Sequence, residues 1–378
     1  MSSASSTTTS SSPWPLEAIL AAGILCLGTA TSQIFFQHVS NAAPKYFYSL
    51  AVVSPLSGLI CYSIIIRVGT VWFSNNNNKA PRTLEVYQSA MPYCIRIGAC
   101  FAVTNILTDF GKSGGAAGVP DVSTVLSLVL QKLVVPVSLV LESALERHRP
   151  TTWEISGVLA VMLGIVSTVQ VYHRDTDAER SSLYGMKVFC LLMSSLPLAL
   201  GFYLVGVARR KLPEVSGIEL WAVLCVPEFF FSIFLAFLTQ FMKHRHSFVE
   251  ICTNIWNGMA CILVGSQPDG EMDVNCKEAA RFFWFGIPFG FALNLAIPVL
   301  VNLKGSTSVP LFRALALPIA ALVTMTNIVD KSIRSSFSWD AIFGVIACTA
   351  GLFLYYGEDV KHFALGFSTV KSIDGLNV

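Results

Sequence analysis

The sequence predicts an all-α integral membrane protein of ten transmembrane helices, arranged as two inverted five-helix repeats, with an interfacial helix in the loop between spans seven and eight. Three observations carry this. The 378 residues are 53% hydrophobic and 13% charged, with a mean hydropathy of +0.62, roughly half the charged fraction of an ordinary soluble domain. Ten apolar runs follow one another, most of them about 20 residues or longer, the length that crosses roughly 30 Å of hydrocarbon. Features of the first half also recur in the second, in the same order.

Taken in order, residues 1–15 form a flexible tail, Ser/Thr-rich and without Lys or Arg, so neither a secretory leader nor a transit peptide is expected. The apolar runs occupy residues 16–38, 47–73, 87–110, 122–145, 153–172, 183–208, 218–242, 279–303, 306–329 and 339–357. Polar or Pro/Gly-rich breakers separate them. The stretch from Glu250 to Cys261 is different. Its apolar residues Phe248, Ile251, Cys252, Ile255, Met259, Ile262 and Leu263 recur at steps of three and four, the spacing of one helical face. Glu250, Thr253, Asn254 and Asn257 occupy the other face and are too costly for a hydrocarbon core, so this helix should lie at an interface. The expected units are a first repeat at 16–180, a second at 181–357 that includes a lumenal loop at 243–278, and a tail at 358–378.

The repeat is read from three matches. Gly157 to Gly164, preceded by Trp153-Glu154, corresponds to Gly344 to Gly351, preceded by Trp339-Asp340, at an offset of 187 residues. Ser123-Thr124 leads to Pro136 as Ser306-Thr307 leads to Pro318, and Phe101-Ala102 leads to Asn105 as Phe291-Ala292 leads to Asn294. Five spans per copy is an odd number, so the second copy enters the membrane from the opposite side. Inverted repeats around a midplane site are a common plan of secondary transporters. Lys and Arg outside the spans divide 11 to 10 between the two sides, or 11 to 6 without the long loop, which favours cytosolic termini.

Arg96, Lys132, Lys187 and Arg313 fall within spans. Lys187 is near a span end, where it can snorkel; the others need a partner or a wet cavity. Pro136 and Pro318 interrupt corresponding spans, and Gln131 and Arg313 each stand five residues before them, with Lys132 beside Gln131. These prolines are the candidate helix breaks and gating points. Asn105 and Asn294 form a second polar pair. The polar groups either line a substrate cavity or make interhelical hydrogen bonds and one buried ion pair. Glu228, mid-span after Pro227, is either a proton-coupling carboxylate or a static partner of Lys132 or Arg313. Asp109 and Glu142 read as solvated interfacial carboxylates, and all six His fall in loops, turns or tails. No cofactor, metal site, enzymatic constellation or nucleic-acid patch is expected. Seven of the cysteines sit in apolar runs as small hydrophobes; only Cys252, Cys261 and Cys276 lie outside the spans.

The stretch from Glu250 to Cys261, followed by Asn275-Cys276, closely resembles the loop between spans seven and eight in the chloroquine-resistance-transporter-like family of the drug/metabolite transporter superfamily. Gln33-Ile34-Phe35, Lys132 to Val137, Ser306-Thr307 and Pro318-Ile319-Ala320 are further matches. The resemblance implies a cavity lined by spans one to four and six to nine, in a vacuolar, lysosomal or plastid membrane. Members export amino acids, small peptides and, in the parasite branch, cationic drugs, often with protons; plant members are thought to move glutathione and its precursor. The family's selectivity positions fall on Gln33, on the Gln131 to Leu133 region and on the Arg313 to Ala316 region. Malarial members carry a Lys at the Gln33 position and uncharged residues near Arg313, a departure that argues against cationic drugs. Arg96, Lys132 and Arg313 against one central carboxylate imply a positive cavity.

The expected protein is therefore a monomeric, lipid-embedded carrier of a small molecule, first choice a glutathione-like anionic or zwitterionic peptide. The alternatives are a sugar-phosphate or nucleotide-sugar exchanger and a non-transporting receptor or scaffold. The family loop carries two cysteine pairs, of which this chain keeps part. From that resemblance one bridge, Cys261 to Cys276, is expected, with Cys252 free.

Overall fold

The computed structural model describes residues 16–73, 84–113, 122–146, 149–174, 181–212, 215, 217–244, 247–266, 274–304, 308–325 and 339–357. The described residues are almost wholly helical and include no strand. In order the helices are α1 (Leu16–Ala42), α2 (Phe47–Phe73), α3 (Leu84–Lys112), α4 (Thr124–Leu130), α5 (Val134–Leu145), α6 (Thr152–Arg174), α7 (Ser181–Lys211), α8 (Gly217–His244), α9 (Phe248–Val264), α10 (Cys276–Lys304), α11 (Ser308–Met325) and α12 (Trp339–Tyr355). Eight helical segments among the described residues are long and apolar enough to cross a membrane; one of them joins α4 and α5. The 17-residue α12 and the Ala316–Met325 part of α11 are apolar but shorter. At 1.5 Å per residue, 17 residues reach only about 25 Å.

The span that contains Gln131 is divided by a 3-10 turn, Gln131–Leu133, between α4 and α5. Pro136 explains it: its missing N–H and its ring disturb the ladder one turn upstream, where the chain tightens to 3-10 geometry. Pro318 behaves differently. It lies inside α11, which continues through it, so the expected second helix break is absent. Neighbouring helices can hold a proline-bearing membrane helix together.

Large apolar side chains point outward in helical stripes, as in Leu16, Leu20, Ile24 and Leu27 on α1 or Phe230, Phe234, Leu238 and Phe241 on α8. That is the surface a hydrocarbon solvent requires. Inside, small residues bring helices together. The tightest crossing joins α6 and α12, which run antiparallel. A Cβ on Gly157 would lie 2.6 Å from the Gly351 oxygen, and one on Gly344 would lie 2.9 Å from the Gly164 oxygen. Midway between, Cys348 Sγ is 3.5 Å from the Val161 oxygen. At the 187-residue offset Gly157 meets the counterpart of Gly164, Gly344 meets the counterpart of Gly351, and Cys348 meets its own counterpart, Val161. Elsewhere α1 packs on α10, α3 on α7 and α8, and α2 on α8. At Gly98 an added Cβ would lie 2.8 Å from the Glu228 nitrogen, so the glycine admits α8 against α3.

Helix α9 docks by one face. Ile251, Gly258, Cys261 and Ile262 are buried, while Val249 and Trp256 are exposed, so the apolar surface is wider than the face that docks. Ser247 and Glu250 close a capping box at its start, and Gly265, at φ +73°, ends it in the left-handed region. A disulfide joins Cys261 to Cys276, the first residue of α10. Trp284 on α10 donates to the Leu263 oxygen at 2.8 Å. Gly258 closes on Ser49 and Tyr46 at the start of α2. Cys252 is exposed and unbonded.

Candidate functional site

Several helices converge on a cavity of about 290 Å³, near the lower end of the range for small-molecule pockets. Its walls come from α1, α2, α3, the Gln131 turn, α7, α8, α10 and α11; among the described residues α6 and α12 contribute nothing to them. Among the residues singled out in the sequence, Gln33, Asn105, Gln131, Glu228 and Arg313 line it.

The cavity wall is held by contacts between helices. Gln33 Nε2 donates to Gln131 Oε1 at 3.2 Å, joining α1 to the 3-10 turn. The Gln33 Oε1 atom is buried without a hydrogen-bond partner, as is the Ser195 Oγ on α7. Asn105 Nδ2 on α3 donates to Glu228 Oε1 on α8 at 2.9 Å. Trp221, Cys225 and Glu228 share one cavity-facing side of α8, as steps of four and three require. Phe101 stacks on Trp221, centroids 5.7 Å apart and planes within 2°, and meets Phe202 edge-on at 5.7 Å. The Arg313 guanidinium sits 5.8 Å from the centre of the Phe202 ring, a cation–π geometry. Phe202 and Phe101 thus form an aromatic wall that runs from Arg313 towards Trp221.

Several placements depart from the sequence reading. Arg96 is exposed and does not line the cavity. Its helix turns Phe101, Thr104, Asn105 and Thr108 inward, and at 100° per residue Arg96 falls on another face. Lys132 is buried and also does not line the cavity; its Nζ donates to the Arg313 backbone oxygen at 3.3 Å, tying the 3-10 turn to α11. Lys187 does not snorkel: it is 3% exposed and donates to the Ser113 oxygen at 2.8 Å. Asp109, read as a solvated interfacial carboxylate, and Lys112, two residues beyond the expected end of its span, both line the cavity. His38 lies within α1, buried and stacked on Phe282 at 4.1 Å, rather than in a loop. Neither Pro136 nor Pro318 lines the cavity. The side chain of Asn294 lies outside the described residues.

The charge balance changes accordingly. Two cationic side chains, Lys112 and Arg313, and two carboxylates, Asp109 and Glu228, line the cavity. The net positive lining expected from Arg96, Lys132 and Arg313 is replaced by a balanced one. Among the described residues, neither Glu228 nor Arg313 has an ion-pair partner. Ser194, Ser195, Trp221 and Tyr62 also line the site and were missed. The adjacent serines just before Pro197, and the spacing of Trp221 to Glu228, were the available signals.

No curated protein matches the chain in sequence. A crystal structure of a protein 12% identical superimposes with a TM-score of 0.52, covering 89% of this chain and 96% of that one, a likeness in fold alone. The model of the CRT-like, chloroquine-resistance transporter-like family matches residues 19–355. That match covers almost every described helix and the whole cavity, and the chain belongs to this family.

Proposed function

We propose that the protein is a secondary transporter that moves small peptides, thiols or amino acids across an organelle membrane by alternating access. A glutathione-like peptide is the first choice of substrate. The observation that carries this reading is the cavity, about 290 Å³ and lined by both charges and by amides within an otherwise apolar bundle. Buried polar groups at membrane depth are costly unless they serve a solute or one another.

The reading includes ten spans in two inverted repeats, 16–180 and 181–357, with α11 and α12 as the last two. Its support is the reciprocity of the α6 and α12 crossing, where Gly157 meets Gly351 and Gly164 meets Gly344. A two-fold relation between antiparallel copies produces such an exchange. The pairing of α1 with α10 and of α3 with α7 has the same symmetry. Glu228 is the proton-coupling candidate, since its carboxylate can hold a proton in one state and a substrate cation in another. A vacuolar or lysosomal membrane with cytosolic termini fits this assignment.

A sugar-phosphate or nucleotide-sugar exchanger would place phosphate on a cationic cluster. The balanced lining and the small volume favour the peptide reading. Counterflow in proteoliposomes, with and without a pH gradient, tests it. Labelled glutathione should exchange, and UMP and triose phosphate should not compete. Exchange of lysine without glutathione, or competition by UMP, would replace the reading.

A further inference from the structure

We propose that the cavity is a two-pole site that holds a zwitterion lengthwise, its carboxylate on Arg313 and its ammonium on Glu228 and Asn105. The inference rests on the transport reading above and deepens it by fixing which end of the substrate meets which helix.

The starting point is a pair of opposite charges that share one cavity without neutralising each other. Arg313 remains protonated in any protein environment. Its guanidinium is backed by the Phe202 ring, while Lys132 engages only its backbone oxygen. The five guanidinium N–H donors form a planar fork that matches a carboxylate. The other pole is built from α3 and α8. Asn105 spends its amide on Glu228 Oε1, which leaves the second carboxylate oxygen and the Asn105 carbonyl oxygen as acceptors. An ammonium with three donors complements that set; a phosphate or a second carboxylate does not.

The remaining cavity charges, Asp109 and Lys112, stand three residues apart on α3, where opposite charges offset one another. They leave Arg313 and Glu228 as the unmatched pair. Between these poles runs the wall of Phe202 and Phe101, with Trp221 stacked against it. It is apolar, with Phe101 parallel to Trp221 and Phe202 turned edge-on to Phe101, and it gives a backbone or side chain a surface to pack along. Two buried atoms without partners border the same space: Gln33 Oε1, an acceptor, and Ser195 Oγ, a donor and acceptor. A peptide N–H and C=O between the two ends would satisfy both. An inorganic anion or a simple cation would satisfy one pole and leave the other exposed in a desolvated site.

The test is counterflow competition in proteoliposomes by alanyl-alanine, N-acetyl-alanyl-alanine and alanyl-alanine amide. In the wild type each blocked peptide should compete about tenfold less well than the free one. In Glu228→Gln the penalty for N-acetylation should vanish while that for amidation persists. In Arg313→Gln the reverse should hold. Both variants are first shown to keep the wild-type elution profile and melting temperature in detergent. Binding is read independently as the melting shift each peptide produces, so a variant that binds but does not transport still reports. Equal competition by all three peptides in the wild type, or the same loss for every peptide in both variants, overturns the two-pole site. Exchange of no peptide or amino acid at all overturns the transport reading instead.

Discussion

Alanine in place of Gly157 places a methyl group against backbone, where nothing can swing aside. The added carbon would lie 2.5 Å from the Tyr355 nitrogen and 2.6 Å from the Gly351 oxygen. A carbon rests about 3.5 Å from a non-bonded heavy atom, so the shorter contact, 2.5 Å to the Tyr355 nitrogen, makes α6 and α12 part by roughly 1 Å along that line. Overpacking of this kind costs about 1–3 kcal/mol. Alanine's better helix propensity returns about 1 kcal/mol. Gly23→Ala is the matched control, since nothing lies within 4 Å of its added carbon. It gains the propensity without the clash. Gly157→Ala should therefore be the less stable of the two by about 1–3 kcal/mol. Gly351→Ala should behave likewise, because its added carbon lies 2.6 Å from the Gly157 oxygen. The double variant should cost less than the two penalties together, because the first methyl has already opened the shared contact. Melting in detergent, followed by size-exclusion recovery after heating, reads these differences. Equal melting of Gly157→Ala and Gly23→Ala, or penalties that add in full, would refute the close antiparallel crossing.

Removing the bridge by Cys276→Ser frees a loop with a sequence separation of 15, worth about 3 kcal/mol in the chain-entropy account; reductant should lower the melting temperature of the wild type and leave the variant unchanged. Arg96→Gln should transport within about twofold of wild type in the counterflow assay, since lipid-side and rim charges contribute little to a site they do not touch. Lys187→Met should lose about 1–3 kcal/mol by stranding the buried Ser113 oxygen it now serves, a loss seen as lower recovery after heating at any substrate concentration.

The eight membrane-crossing segments among the described residues were legible because hydrophobicity over a membrane-crossing length is a strong signal, and the interruption of the Gln131 span because Pro136 removes a specific hydrogen bond. The facing of each helix was not. A soluble helix shows its polar side to water, so its rotation can be read from its pattern. In this chain lipid-facing Phe230 and Phe234 are as apolar as buried Leu220 and Leu224, and the pattern fixes no rotation. Hence Arg96 and Asn105, on the same helix, could not be assigned to their faces. The Asn105 to Glu228 pair was likewise hidden, because it depends on the approach that Gly98 allows between α3 and α8. The sequence paired Asn105 with its repeat counterpart and read Glu228 as either a proton-coupling carboxylate or the partner of a cation. Pattern matching finds residues that are equivalent, whereas function depends on residues that meet.

The fastening of α9 has a mechanical consequence. One short helix is riveted to α10 through Cys261 and Cys276, clipped to it again by Trp284, and pressed onto the start of α2 at Gly258. The main chain adds another tie, with Asn275 N–H donating to the Ala42 oxygen at the end of α1. The ends of α1, α2 and α10 on that side are therefore linked as a bracket. Any motion that pries α2 from α10 there must tear the bracket or carry all of it as one piece. On the opposite side the tie is an exposed ion pair, Arg210 with Glu146 between the ends of α7 and α5, so among the described residues the two sides are fastened by different means, one covalent and one solvent-screened.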